Sequence, residues 1–208
     1  MKQFVLDFQK KNASGKRKHN IPDKKGRGIR NMAVFTFWQF WTVISVAWIG
    51  IRAYFDIKDH KVDWLRELKL LTVYICIVVI MRIVYFPWHL ENGKIGTLVF
   101  DAGQILPFRL NLIPVVHLFD IYEGWQRNLF GNIAMFIPVG LAWPFCFKKL
   151  DSVGKVVLAG FCYSLMIELS QLLFYDRGTD VDDLITNTSG VLIGALIYFG
   201  ISRIICKK

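Results

Sequence analysis

The sequence lacks the short motifs by which many enzymes are recognised. It has no His-Glu-x-x-His zinc pair, no Gly-x-Ser-x-Gly nucleophile turn and no glycine-rich phosphate loop. Its histidines, His19, His60, His89 and His117, are scattered. The cysteines, Cys76, Cys146, Cys162 and Cys206, lie in or beside apolar runs with no close pair, which argues against disulfides or a zinc site and for small core residues. The acidic run Asp176–Asp183 has neither the spacing nor the closing glutamate of a calcium-binding loop. No secretory leader is expected, because the basic stretch before the first apolar run is long and no small-residue cleavage site follows it.

The most telling absence is of charge within long stretches. A membrane-spanning helix needs about 20 mostly apolar residues. Met32–Ile51 and Asn128–Phe147 meet this with no charge, although Pro138 and Pro144 should kink the latter. Leu70–Leu90 carries only Arg82, Val156–Tyr175 only Glu168, and Leu184–Ile205 only Arg203. A sixth stretch, Leu98–Phe119, contains Asp101, Arg109, Pro107 and Pro114. Each charge at mid-bilayer would cost about 2.5–3.5 kcal/mol, so an interfacial or re-entrant segment is expected there. The expected fold is an all-α, polytopic transmembrane bundle of about five spans, over residues 32–208. It is preceded by a basic, polar tail over residues 1–31.

Composition agrees. At 54% hydrophobic residues, 15% aromatics and mean hydropathy +0.38, the 208 residues are more apolar than an ordinary soluble domain. The net charge of +10 suggests nucleic acid at first sight. Its distribution points instead to lipid, because the lysines and arginines flank the apolar runs or sit in the tail. No nucleic-acid partner and no cofactor are expected, and the oligomeric state is left open.

Arg52, Lys58, Lys61, Arg66 and Lys69 lie between the first two spans, Lys148, Lys149 and Lys155 between the third and fourth, and Lys207 and Lys208 at the C-terminus. Five spans put all of these on one side, which the positive-inside rule makes cytoplasmic. The same layout puts the basic tail outside, against the rule; a sixth span over residues 98–119 would bring both termini inside. Either way the start of the third span, the end of the fourth and the start of the fifth share the opposite, extracytoplasmic face.

Polar residues gather on that face. Asn128 and Asn132 are spaced for one side of a helix, as are Glu168 with Gln171, and Asp180, Asp183, Asn187, Gly190 and Gly194. Arg109 and Asn111 lead towards it. The asparagines would also serve to bond across helices, and Gly190 and Gly194 form a small-xxx-small packing pair. Thr179 and Asp182 resemble a capping box, and aspartates suit a helix N-terminus. Glu168 is the sharpest candidate. It sits roughly 10 Å below the surface and needs a proton, a partner or a water-filled pocket. Arg177 or Arg109 is the expected partner. Together with Asp180, Asp182 and Asp183 it would also suit a hard cation such as magnesium, but nothing fixes a ligand geometry and no metal site is assigned.

Four stretches in order resemble the VanZ-like membrane protein family. They are Arg109–Pro114, Asn128–Asn132 leading to Phe136–Gly140, Glu168–Gln171, and Arg177 with Asp180, Asp182, Asp183, Asn187, Gly190 and Gly194. Val115 stands where the first signature usually has phenylalanine. The basic tail is longer than five-span members would imply. The resemblance covers roughly residues 70–205. It implies a multi-pass protein of the bacterial cell membrane, linked through the family name to teicoplanin resistance, and leaves the biochemical activity open.

The leading expectation is an accessory envelope protein whose outer polar pocket binds an amphiphile, a lipid-linked wall precursor or a lipoglycopeptide. The pocket residues would be Arg109, Asn111, Asn128, Asn132, Glu168, Gln171, Arg177, Asp180, Asp182, Asp183 and Asn187. One alternative is an enzyme acting on a lipid-linked phosphate or glycan, with Glu168, Asp180 or Asp183 as catalytic candidates. Another is a structural partner subunit whose polar residues only hold helices together.

Overall fold

Local capping chemistry decides where each helix begins. Thr36 and Gln39 form a reciprocal capping box: the Thr36 hydroxyl accepts the Gln39 amide at 3.3 Å, and the Gln39 side chain accepts the Thr36 amide at 2.9 Å. Helix α1 therefore starts at Phe37 and runs to Lys58, not from Met32 to Ile51. The residues before the cap, Met32–Phe35, form strand β1 instead. Helix α2, Trp64–Tyr85, starts well before the expected Leu70, because the Asp63 carboxylate accepts the amides of Leu65 and Arg66. Both helices outrun their apolar stretches because their charges are matched. Arg52 on α1 forms a two-pronged pair with Glu67 on α2 and approaches Asp56 at 3.5 Å. At the other end, Phe86 leaves the helix in extended conformation, as a residue preceding proline should; Pro87 follows it.

The computed structural model describes residues 32–60, 62–86, 93–101, 110–111, 125–174 and 177–205. The basic tail expected over 1–31 and the candidate Arg109 lie outside these residues. Helices α3 (Trp125–Cys146), α4 (Val153–Gln171) and α5 (Val181–Ile205) complete the set. Among the described residues, five helices are long and apolar enough to cross a membrane. Asn31–Lys208 form one compact unit. This is the expected all-α bundle, with α4 ending before Tyr175 and α5 starting before Leu184.

In place of a sixth span, the described part of Leu98–Phe119 holds two short strands, β2 (Leu98–Asp101) and β3 (Leu110–Asn111). Strand β2 pairs antiparallel with β1, from Met32 opposite Asp101 to Phe35 opposite Leu98. Strand β3 pairs parallel with β4 (Thr179–Asp180), which sets Leu110 beside Thr179 and Asn111 beside Asp180. The described parts of this segment find backbone hydrogen bonds in strand pairs at the helix ends. Five alternating crossings place the starts of α1, α3 and α5 and the ends of α2 and α4 at one end of the bundle, with all four strands.

The core is built on α3 and α5. Gly190 and Gly194 of α5 lie so close to α3 that an added methyl group would overlap the carbonyl oxygens of Ile133 and Ile137, and one on Gly140 would overlap that of Val191. In lipid, where burying apolar surface does little to join helices, such close backbone contact is a main source of association. Phe136, Val139, Val156, Val191 and Ala195 are fully buried around the contact. By contrast α1 has no buried residue and turns Trp38, Val43, Val46 and Ile49 outward, as a lipid-facing helix would.

Gly194→Ala is therefore expected to lower the melting temperature of the detergent-solubilised protein, with an overpacking cost of about 1–3 kcal/mol. Gly200→Ala, on the same helix with nothing within 4 Å of an added methyl, should melt at or above the wild-type temperature. Equal melting of the two variants would show that the α3–α5 contact is not tight.

Candidate functional site

Helix α4 presents Ser164, Glu168 and Gln171 at helical spacing, and all three are buried, Glu168 to 2% exposure. Because α4 ends at Gln171, Glu168 sits within the last turn, beside the start of α5. There Asp182, Thr186 and Asn187 are buried as well. The polar stripe of α4 thus meets the polar stripe of α5 directly.

The link between them is made by β4. The Thr179 hydroxyl donates to the Glu168 carbonyl at 2.5 Å, and the Asp180 amide donates to the Glu168 carboxylate at 3.2 Å. Asp180 also caps α5: its Oδ1 accepts the Asp182 amide at 2.9 Å and the Asn111 side-chain amide at 3.1 Å. The expected Thr179–Asp182 capping box is not formed. Aspartate is the better N-cap, and the Thr179 hydroxyl is drawn instead to a carbonyl that the end of α4 leaves without a helical donor.

Other contacts fix the helices in register. Asn132 of α3 donates to Asp183 of α5 at 2.6 Å. Asn187 of α5 donates to the Ser164 hydroxyl of α4 at 3.0 Å. The Thr186 hydroxyl turns back to the Asp182 and Asp183 carbonyls at 2.9 and 3.1 Å. The Tyr85 hydroxyl bonds to Ser170, whose own hydroxyl is given to the Ile167 carbonyl, so the end of α2 is tied to α4. The Asn187 side-chain oxygen is buried with no donor among the described residues.

Of the two partners expected for Glu168, Arg109 lies outside the described residues, and no ion pair joins Arg177 to Glu168 among them. Arg177 reaches the Tyr85 carbonyl at 2.8 Å, in the last turn of α2, where unsatisfied carbonyls and the helix dipole favour a cation. Glu168 has no ion-pair partner among the described residues, and its charged neighbours are Asp183 and Asp180. Among the described residues, this carboxylate is offered a backbone amide and the positive end of α5, which it shares with three aspartates. No group of three or more His, Cys, Asp or Glu side chains is placed to hold a metal ion among the described residues.

Of the sequence candidates, Asn111, Asn132, Glu168, Gln171, Arg177, Asp180, Asp182, Asp183 and Asn187 lie at this end of the bundle; Asn128 sits exposed at the start of α3. Sequence reasoning passed over Ser164, Thr186, Ser170 and Tyr85. Ser164 stands four before Glu168, and Thr186 four after Asp182, so helical spacing alone would have flagged both. No local signal marks Tyr85, whose role depends on where α2 ends.

The VanZ/LLP1 family model matches residues 71–205, from α2 to the end of α5, and so takes in the whole of this cluster. The chain belongs to the VanZ/LLP1 family. Protein VanZ of Enterococcus faecium is 35% identical over 89 residues, which is 43% of this chain and 52% of that protein. The chain therefore spans about half the length of this curated relative. No solved structure matches the chain. With five helices long and apolar enough to cross a membrane among its described residues, this VanZ-family chain is a multi-pass membrane protein.

Asp180→Ala removes both the α5 cap and the Asn111 contact, and is expected to cost about 1–2 kcal/mol. Asp180→Asn keeps an acceptor at Oδ1 and should melt close to wild type. A thermal melt of both in detergent checks this; equal loss in the two would mean that charge, not capping, is what Asp180 supplies.

Proposed function

We propose that this protein is an accessory factor of the bacterial cell envelope. Its polar cluster binds an amphiphile or lipid-linked wall precursor at the outer membrane–water boundary and so lowers sensitivity to lipoglycopeptides of the teicoplanin type. The observation that carries this reading is Glu168, 2% exposed and set among aspartates at one end of a lipid-facing bundle, with no ion-pair partner among the described residues. An ionisable residue inside the membrane is a functional-site candidate by default. The Asn187 oxygen, which has no donor among the described residues, supplies a second group suited to a donor from a ligand. Family membership and the VanZ relative support the link to glycopeptide response. The basic connections at the opposite end support an outward-facing cluster.

In this reading Arg177, held at the edge of the cluster by the Tyr85 carbonyl, and Arg109 recognise a phosphate or carboxylate. Glu168, Gln171, Asn132 and Asn187 line the pocket, with Asn111, Asn128, Asp180, Asp182 and Asp183 at its rim. A structural reading is favoured by one observation, that Asn111, Asn132 and Asn187 already donate to protein groups across elements.

Glu168→Gln separates the two. The amide keeps an oxygen for the Asp180 amide, so the purified protein should melt within a few degrees of wild type. Binding to lipid-linked precursor or teicoplanin, and the change in teicoplanin sensitivity on expression, should fall at least tenfold. Unaltered binding and sensitivity in a stably folded variant would overturn the proposal, and loss of fold in Glu168→Gln and Asn187→Ala alike would support the structural reading.

A further inference from the structure

The opposite, lysine-rich end of the bundle carries a feature unrelated to the polar cluster. A groove of about 600 Å³ is lined by Val73 of α2, Trp143 and Cys146 of α3, Ala159 of α4, and Lys148 and Lys149 of the α3–α4 connection. Its wall is almost wholly apolar. Both lysines are exposed. Lys155 is taken up by Asp151 at 2.7 Å, whereas no carboxylate pairs with Lys148 or Lys149 among the described residues. Lys69 lies over the Phe145 ring at 5.1 Å and adds positive charge at the same level.

Two requirements meet here. The apolar lining calls for a hydrocarbon chain, and the two exposed lysines beside it call for an anion. A soluble phosphate answers only the second and a neutral lipid only the first. Basic pockets between spanning helices on the cytoplasmic side suit anionic lipid headgroups, which that leaflet supplies. Lysine stems can lie along the apolar wall while their ammonium groups reach the headgroup level. Tryptophan suits the same boundary.

We propose that this groove holds one anionic glycerophospholipid, its phosphate at Lys148 and Lys149 and one acyl chain against Val73, Trp143 and Ala159. The lipid would fill the space lined by α2, α3 and α4. The site is independent of the polar cluster and of any function assigned to it.

The test uses the full chain purified in detergent, with phosphatidylglycerol and phosphatidylcholine of identical acyl chains, read by native mass spectrometry and thermal melting. Phosphatidylglycerol should be retained preferentially and should raise the melting temperature. The Lys148→Gln/Lys149→Gln variant, altered only at exposed positions, should lose roughly 30-fold in phosphatidylglycerol affinity, from about 1 kcal/mol per lysine. Ala159→Trp, which fills the groove, should lose retention of both lipids. Equal retention of the two lipids by the wild type, or an unchanged preference in the double-lysine variant, would overturn the proposal. So would stabilisation by glycerol phosphate alone to the same extent as by the lipid, which would mark a soluble-anion site. Should Ala159→Trp fail to fold, the double-lysine variant still decides.

Discussion

The close approach of α3 and α5 is the constraint on which the rest depends. Three glycines, Gly140, Gly190 and Gly194, let the two backbones touch. That contact sets Asn132 against Asp183, about two turns of α5 before Gly190, and it holds the start of α5 where β4 can deliver the Asp180 amide to Glu168. In water a hydrophobic core would do this with large side chains. In lipid the helices gain little from burying leucine and must gain from dispersion at short range and from hydrogen bonds across the seam. The order of the polar end therefore rests on residues that carry no chemistry of their own.

The two ends of the bundle differ in kind. One collects carboxylates, amides and hydroxyls into a buried network linked through strands β3 and β4. The other carries lysines and arginines, matched in part by Glu67, Asp56, Asp59 and Asp151. This asymmetry is the physical content of the membrane orientation. In the proposed orientation, positive charge lies on the side where anionic lipid and the membrane potential favour it, and the acidic cluster lies on the outer side.

Much of this could be read from the sequence, because spanning helices obey a length rule that apolar runs reveal directly. The stripe from Glu168 to Gln171 and the one from Asp180 to Gly194 followed from helical spacing, and the structure brings them together. Helix ends were less legible. The hydropathy of Met32–Phe35 is that of a span, yet the Thr36–Gln39 cap and the pairing with β2 remove those residues from α1. The contact of Arg177 with α2 was not legible either: the sequence suggests Glu168 as a partner, whereas the end of α2 offers a carbonyl in the right place. Tyr85 is a member of the network only through the fold. Tertiary geometry decides such contacts, and no local pattern encodes it.

The central claim is that the polar end faces outward. Its most direct test is single-cysteine labelling in intact cells, after replacing Cys76, Cys146, Cys162 and Cys206. Asn128→Cys and Lys149→Cys place a thiol at exposed positions on the two ends. Membrane-impermeant maleimide should label Asn128→Cys in intact cells, and Lys149→Cys only after permeabilisation. Labelling of Lys149→Cys from outside, with Asn128→Cys protected, would invert the protein and contradict the account.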